Sequence, residues 1–412
     1  MERKQVSDFS VFILSLIIII INEPYLSRIV QGAGILALMA LFLLLNINRF
    51  IQSGVLRNNT LLLATLYVLF LLAYEFLGIS NTTLISYYYT ISFLFFAVTV
   101  TPIITLLTKK QQNILLAVVI ASVIVMMLTN IQLSNQYGAY YVRLVDYYAG
   151  RTNAINTQYV SALIIFCGVI LTKIRTTKKA NVPAIVLLIF SIYFVIAIGQ
   201  RLTAILLLVA VIMMQLIFSG KKTLLKYVGY VAIVVIGITL ILNYDQILRW
   251  VSTTLNNERV TRRINQLLYA LNAGEIEGTG GSLEVRFRLV LNSWHTFTSS
   301  FLNFLFGAGE HSAENDIIGH HSQWIDELAK YGIIGSALLL ATTKKCFKNL
   351  RNNLALSKES PLFPHYIIMI SYFILRGLIG NVLYPYFGIM FFVFMPIVYM
   401  KINSNQHVGG IL

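Results

Sequence analysis

Long apolar segments without charged residues are the feature that most constrains the fold of this chain. Segments 11–21, 61–73 and 227–242 contain no charged side chain, and several apolar segments exceed about 18 residues once their flanks are included. Such segments are typical of transmembrane helices, because only a helix satisfies every backbone hydrogen bond internally within lipid. Charged residues make up only 11% of the chain, which excludes a soluble enzyme, a disordered protein and a disulfide scaffold.

The apolar pattern predicts an all-α, polytopic integral membrane protein with about twelve transmembrane helices and one large external loop. The first nine helices occupy residues 1–243, the extracytoplasmic loop occupies 244–327, and the last three helices occupy 328–412. The predicted spans are 8–22, 29–46, 61–79, 84–107, 113–133, 155–172, 182–199, 202–218, 227–243, 328–343, 363–383 and 385–401. The first apolar segment has no small-residue cleavage site, so we interpret it as a retained span rather than a signal peptide.

The charge distribution predicts that both termini lie in the cytoplasm. In that orientation 19 Lys and Arg residues fall on the inner side against three acids, whereas 12 fall on the outer side against 13 acids. Cytoplasmic loops of membrane proteins carry this excess of positive charge. Topology therefore explains the net charge of +15, and no nucleic-acid partner is predicted.

The two sides of the membrane also differ in the kind of cation. Of the 19 inner cations 14 are Lys, whereas 11 of the 12 outer ones are Arg. A guanidinium group offers a planar fork that fits phosphate and carboxylate. Single outer arginines can be explained as ion pairs with outer acids. For the whole set, an anionic ligand at the outer face is the better explanation.

Two predicted outer loops carry most of the polar residues. Loop 134–154 is rich in Tyr, which indicates either an interfacial aromatic belt or a surface that stacks on sugars. Loop 244–327 is predicted to contain a surface helix at 245–271, a second helical stretch at 283–304, and a turn at Phe306-Gly307-Ala308-Gly309. A polar segment with His311, His320 and His321 follows. These histidines lack the spacing of metal ligands, so we predict no metal and no cofactor.

Residues 319–335, Gly-His-His-Ser-Gln-Trp-Ile-Asp-Glu-Leu-Ala-Lys-Tyr-Gly-Ile-Ile-Gly, resemble the segment that closes the large external loop in the O-antigen ligase and polymerase (Wzy) superfamily. In that pattern a His precedes a Gly-Ile/Leu-Ile/Leu-Gly helix start by eleven residues, which selects His321 rather than His320. Further elements similar to the family are Arg286 and Arg288, Trp294, the Phe306-Gly307-Ala308-Gly309 turn, and Gly199-Gln200-Arg201-Leu202-Thr203-Ala204. Together these motifs cover residues 199–335.

The resemblance implies a C-type glycosyltransferase fold and glycosyl transfer on the outer face of the cytoplasmic membrane. The donor would be a glycan on undecaprenyl diphosphate, and a polymerase would pass it to the next lipid-linked repeat unit in capsule, exopolysaccharide or O-antigen synthesis. The reaction would be inverting and independent of metal. The implied partners are this lipid-linked oligosaccharide, membrane lipid, and a chain-length regulator and flippase of the same pathway.

The resemblance also assigns roles to particular residues. His321 would deprotonate or orient the acceptor hydroxyl, with His320 as the alternative; otherwise His321 is a helix cap. Arg201 and Arg288 would hold the diphosphate, with Arg286 as the alternate, unless they pair with Glu284 or Glu310. The other predicted substrate-binding residues are Trp294, Glu327, which orients His321 or pairs with Lys330, and Arg376, which faces a cavity or else snorkels to the surface.

Two other functions remain open from sequence. A ligase that transfers the glycan to another acceptor would carry the same motifs. A polysaccharide flippase or other transporter could also have about twelve spans with buried arginines. A transporter would be expected to show repeated halves and short loops, whereas the sequence shows no repeat and concentrates its polar residues in one late external loop.

Overall fold

The computed structural model describes residues 6–52, 59–77, 79, 87–148, 157–176, 181–198, 202–218, 282–310 and 317–408. These residues are mostly helical, and no strand occurs among them. The prediction of an all-α protein is confirmed over this part of the chain. The predicted ninth span (227–243) and the predicted surface helix at 245–271 lie outside the described residues, as does His311.

The first half of the chain contributes nine helices among the described residues, and two of them continue without a break as π-helical segments. The helices are α1 (Asp8–Asn22), α2 (Pro24–Gln52), α3 (Asn59–Phe76), α4 (Tyr88–Leu94, then π-helical Phe95–Val100), α5 (Thr101–Ile104), α6 (Lys109–Tyr148), α7 (Thr157–Thr176), α8 (Val182–Tyr193, then π-helical Phe194–Ile198) and α9 (Leu202–Phe218).

The second half contributes two helices that precede the predicted tenth span and the helices that complete the core. They are α10 (Ser282–Thr298), α11 (Phe301–Phe306), α12 (Gln323–Asn353), α13 (Phe363–Leu378), α14 (Pro385–Ile389, then π-helical Met390–Phe394) and α15 (Met395–Val408). Helices α10 and α11 confirm the helical stretch predicted for residues 283–304. The chain between them is interrupted at Ser299 and Ser300, where the Ser300 hydroxyl caps α11 by accepting from the Asn303 amide at 3.0 Å.

Five helical stretches are long and apolar enough to cross a membrane: Ile29–Phe50, Asn59–Phe76, Lys109–Gln132, Gln158–Thr176 and Pro385–Ser404. Five shorter apolar helices accompany them. Apolar side chains such as Phe76, Ile189 and Leu206 remain exposed on these helices, as is typical of a surface in contact with lipid. The described part of the chain is therefore a helical membrane protein.

Two predicted loop segments form helix instead. Residues 134–148, part of the predicted loop 134–154, continue α6 as helix through Tyr148. Residues 323–327, the end of the predicted external loop, begin α12 at Gln323, and a break at Gly332 divides this helix. The second predicted span, 29–46, agrees with the stretch Ile29–Phe50, although α2 itself begins at Pro24 and has non-helical backbone at Gln31. The predicted limits of the helices came from hydropathy alone. Polar residues also form helix where their side chains find hydrogen-bond partners.

The core lies around α7 and the last three helices. Residues 160–170 of α7 are buried almost throughout, and aromatic rings interlock against them. Phe166 stacks on Phe394 with centroids 4.6 Å apart, and Phe373 contacts Phe391 edge to face at 5.6 Å. Aromatic pairs in these geometries stabilise a core beyond the area that they bury. This core anchors α12 and α13, which carry most of the polar residues described next.

Candidate functional site

A break in α12 at Gly332 creates the frame of the site. Gly332 has φ 60° and ψ −166°, a backbone conformation that is essentially restricted to glycine. The break removes the intrahelical donors for the preceding carbonyl oxygens. The turn after α11 replaces them: the Ala308 amide donates to the Ala329 carbonyl at 2.9 Å, and the Gly309 amide donates to the Lys330 carbonyl at 2.8 Å.

The two backbones approach so closely that only glycine fits at the contact. A Cβ atom at Gly307 would overlap the backbone of Lys330, and one at Gly332 would overlap the backbone of Leu305. Gly307 has φ 82° and Gly309 φ 84°, which are also glycine conformations. The predicted turn at Phe306-Gly307-Ala308-Gly309 is thus confirmed, and it fixes the position of the residue that follows, Glu310.

Glu310 forms a largely buried ion pair beside this contact, with 16% of its own side chain and 13% of the Lys330 side chain exposed. Its Oε1 accepts from Lys330 Nζ at 2.8 Å, and its Oε2 accepts from the Tyr331 hydroxyl at 3.2 Å. His320 Nδ1 lies 3.8 Å from Oε1. Burial alone would raise the pKa of Glu310, but the ammonium group of Lys330 outweighs it and holds the pKa below its ordinary value. Glu310 is therefore an anion.

Glu327 lies one turn before Lys330, at the end of the predicted external loop, and has a different environment. Its Oε2 accepts from the Tyr67 hydroxyl at 3.1 Å, and its Oε1 accepts from Gln323 Nε2 at 2.7 Å. Burial raises the pKa of Glu327 to about 7, although Lys330 partly opposes the shift. The two carboxyl groups therefore differ: Glu310 stays charged, and Glu327 gains or loses a proton near neutral pH.

Asp326 ties the start of α12 to α10. Its Oδ1 accepts from the Ser293 hydroxyl at 2.6 Å, and its Oδ2 accepts from the Ser322 amide at 2.8 Å. Ser293 in turn accepts from the Gly319 amide at 2.8 Å. A carboxylate that bonds to the amide at the start of its own helix stabilises that helix end. These bonds give Asp326 a structural role and hold residues 319–322 in place.

The two neighbouring histidines point to different surroundings. His320 adopts φ 55° and its ring approaches Glu310. His321 is exposed, and its Nδ1 lies 3.0 Å from the Gly319 carbonyl oxygen. Because a carbonyl oxygen only accepts, Nδ1 carries the hydrogen in this bond and neutral His321 presents its lone pair at Nε2. No described residue forms a hydrogen bond with Nε2.

Arg376 is buried on α13, with 6% of its surface exposed. Its Nε donates to the Ser161 hydroxyl at 2.8 Å, and Gly380 leaves room for its guanidinium group. The described residues supply no carboxylate partner to it. Tyr384 lies within electrostatic reach of both Arg376 and the Glu310–Lys330 pair, and its ring packs on Tyr89 with centroids 4.3 Å apart. This buried cation faces the interior rather than the surface.

The remaining predicted site residues are less closely connected. Arg288 and Trp294 are both exposed on α10, and Trp294 packs on Phe297 with centroids 5.6 Å apart. They are six positions apart, which places them on faces about 120° apart. Arg286 lies in α10, but its side chain is outside the described set, and Arg201 lies outside the described residues.

The structure adds residues that the sequence did not single out. Tyr67 and Gln323 bind Glu327, Tyr331 binds Glu310, and Ser161 binds Arg376. Glu310 appeared in the sequence only as a possible partner for arginine, and the structure gives it Lys330 instead. Glu327 was expected to orient His321 or pair with Lys330; its hydrogen bonds go to Tyr67 and Gln323. The hydrogen bond between Gln323 and Glu327 has a signal in the sequence, because residues four positions apart lie on the same face of a helix.

Fold and site define a helical membrane protein that holds a charged cluster where a glycine break in one helix meets an adjoining turn. No family model matches the chain, and no curated protein matches it either.

Proposed function

We propose that this chain is a glycosyltransferase that polymerises lipid-linked oligosaccharide repeat units on the outer face of the cytoplasmic membrane. Its donor is a glycan on a polyprenyl diphosphate, and its acceptor is a hydroxyl group of the next repeat unit. The observation that carries the proposal is the exposed ring of His321, whose Nδ1 lies 3.0 Å from the Gly319 carbonyl oxygen, within the segment that resembles the Wzy superfamily.

The reaction is a direct displacement at the anomeric carbon. The acceptor oxygen forms a bond to that carbon while the bond between carbon and diphosphate oxygen breaks. The acceptor proton passes to His321 Nε2, and the bonding electrons leave with the diphosphate. A histidine is the side chain that most often accepts a proton in such a step, and guanidinium groups stabilise the charge on the leaving group. Arg288 and Arg201, with Arg286, are the proposed diphosphate ligands.

The buried cluster supports this proposal by fixing the segment that carries His321. Asp326 and Ser293 hold Gly319, whose carbonyl oxygen accepts from His321, and Glu310 lies beside His320. Arg376 adds a buried cation without a described carboxylate partner, within electrostatic reach of Tyr384. A guanidinium group of this kind suits an anionic ligand such as phosphate.

The test is polymerisation by purified protein supplied with a polyprenyl-diphosphate-linked repeat unit. The unmodified protein should give a ladder of products, and His321→Ala should lower its rate at least about 100-fold. His295→Ala is the matched control, because His295 is also exposed but lies outside the motif. A ladder from His321→Ala equal to that of the control would contradict the proposed role. One product on a different acceptor would favour a ligase.

A transporter of lipid-linked glycan is the second candidate, and the break in α12 favours it. Discontinuous helices with a buried ionisable residue are typical of secondary transporters, and Glu327 gains or loses a proton near neutral pH. The test is movement of unreacted lipid-linked oligosaccharide across vesicles with and without a pH gradient. Transport that depends on the gradient and is lost in Glu327→Gln would support this function against a transferase.

A further inference from the structure

A groove between α12 and α13 lies away from the charged cluster. It has a volume of about 750 Å³, and its apolar wall includes Trp324, Phe347, Ile370 and Phe373. Leu340 and Ile374 along it are 52% exposed. The groove therefore opens to the surface that a membrane protein presents to lipid.

One end of the groove carries three cations. Lys344, Lys348 and Arg351 line it and follow each other at intervals of four and three residues, which places them on one face of α12. Within the described residues none of the three meets a carboxylate. The rest of the lining is almost entirely apolar, with Thr343 and Tyr366 as the uncharged polar members, and the Tyr366 hydroxyl donates to the Phe347 carbonyl at 2.6 Å.

The length of the groove fits a hydrocarbon chain. From Leu340 to Arg351 the helix rises about 16 Å, and Trp324 extends the apolar wall beyond Leu340. An occupant must therefore be apolar along most of its length and anionic at one end. The predicted topology places the three cations at the cytoplasmic surface, where anionic lipid headgroups attract Lys and Arg.

We propose that this groove binds an anionic phospholipid, with Lys344, Lys348 and Arg351 holding the phosphate and one acyl chain lying along the apolar wall to Trp324. The site is separate from the proposed diphosphate site and does not depend on glycosyl transfer. Charge complementarity distinguishes this occupant from a neutral lipid, which would gain nothing from the three cations. An uncharged helix from another protein would gain nothing from them either.

Quenching of Trp324 fluorescence by brominated lipids tests the proposal in the whole chain. The chain has three Trp residues, so Trp250→Phe with Trp294→Phe leaves Trp324 as the only one. In vesicles that mix phosphatidylcholine with a small fraction of phosphatidylglycerol, bromine on the phosphatidylglycerol chains should quench Trp324 more than bromine on phosphatidylcholine at equal fraction. Equal quenching by the two lipids would overturn the proposal.

Charge variants supply the second arm. The triple change of Lys344, Lys348 and Arg351 to Gln should remove the preference, with about a fivefold loss of relative affinity for each cation removed. Lys345→Gln is the matched control, because Lys345 adjoins Lys344 but does not line the groove; the preference should persist. An equal loss in Lys345→Gln would contradict a specific site.

A third arm separates the two sources of an anionic amphiphile. Unbrominated phosphatidylglycerol should restore the fluorescence by competition, and an equal fraction of polyprenyl phosphate should not compete better. Stronger competition by polyprenyl phosphate would assign the groove to an isoprenoid carrier and overturn the proposal of a phospholipid. Filling the groove with Ile370→Trp, read by loss of co-purified phosphatidylglycerol, repeats the test without altering charge; unchanged lipid content would count against the proposal.

Discussion

The two ends of α12 carry similar numbers of charged residues but use them differently. Around the break at Gly332, Glu327 is buried and Lys330 is largely buried, and each is bound by a neighbouring side chain, Lys330 by Glu310 of the adjoining turn. Toward the other end, Lys344 and Lys348 are exposed and contact no carboxylate among the described residues. Charges that bind each other hold backbone segments together, whereas charges that face a groove remain available to a ligand.

Lys330→Met should have the largest effect on stability, because it leaves the Glu310 carboxylate buried without its cation. Breaking a buried pair in this way costs about 3–5 kcal/mol. Lys344→Met removes a lysine from the same helix and should change stability by less than about 0.5 kcal/mol. Thermal unfolding of both variants in detergent measures the difference.

A combined variant sharpens this prediction. The double variant Glu310→Gln/Lys330→Met removes both charges, so it should be more stable than the single variant Lys330→Met. If Lys330→Met and Lys344→Met unfolded at the same temperature, the contrast between the two ends of α12 would fail.

Gly332→Ala should have the next largest effect. An alanine at this position would have to adopt a backbone conformation that costs about 1–3 kcal/mol, and its methyl group would overlap the backbone of Leu305. Gly388→Ala is the control, since the atoms nearest to its Cβ would belong to the Phe96 side chain, at 3.0 Å and beyond, and not to backbone. The measurement is again the unfolding temperature. Equal shifts for the two variants would show that the contact between the turn and α12 is not needed.

The sequence predicted the helices better than it predicted the site. Apolar runs such as 61–73 form helices because a helix satisfies the backbone hydrogen bonds that lipid cannot. The apolar run itself is visible directly in the sequence. Residues 323–327 were predicted as loop because they are polar, yet they begin α12. Their partners lie far along the chain: Tyr67 binds Glu327 from 260 positions away. A pairing at that separation has no local signature.

The histidines show the same limit within the site. The spacing to Gly332 selected His321 by resemblance, and nothing in the sequence distinguished the environments of His320 and His321. That difference depends on φ 55° at His320 and on the Gly319 carbonyl oxygen, which the Ser293–Asp326 pair positions. The roles of these residues in catalysis remain predictions of the proposed function.

A further expected effect is a pH dependence that comes from Glu327. Its pKa is raised from 4.5 in the unfolded chain to about 7 in the folded protein, so the folded state binds the additional proton between these values. The corresponding stability is present in full below about pH 4.5 and is lost as the pH rises through 7. Glu310 has the opposite sign, because its pKa is lowered, and its contribution to stability is lost on acidification below its ordinary range.

Glu327→Gln should therefore flatten the decline in unfolding temperature between pH 5 and pH 8, a window in which Glu310 stays ionised in both states. If the unfolding temperature of Glu327→Gln declined as steeply as that of the unmodified protein, Glu327 would not titrate in this range. The contrast between the two carboxyl groups would then be wrong.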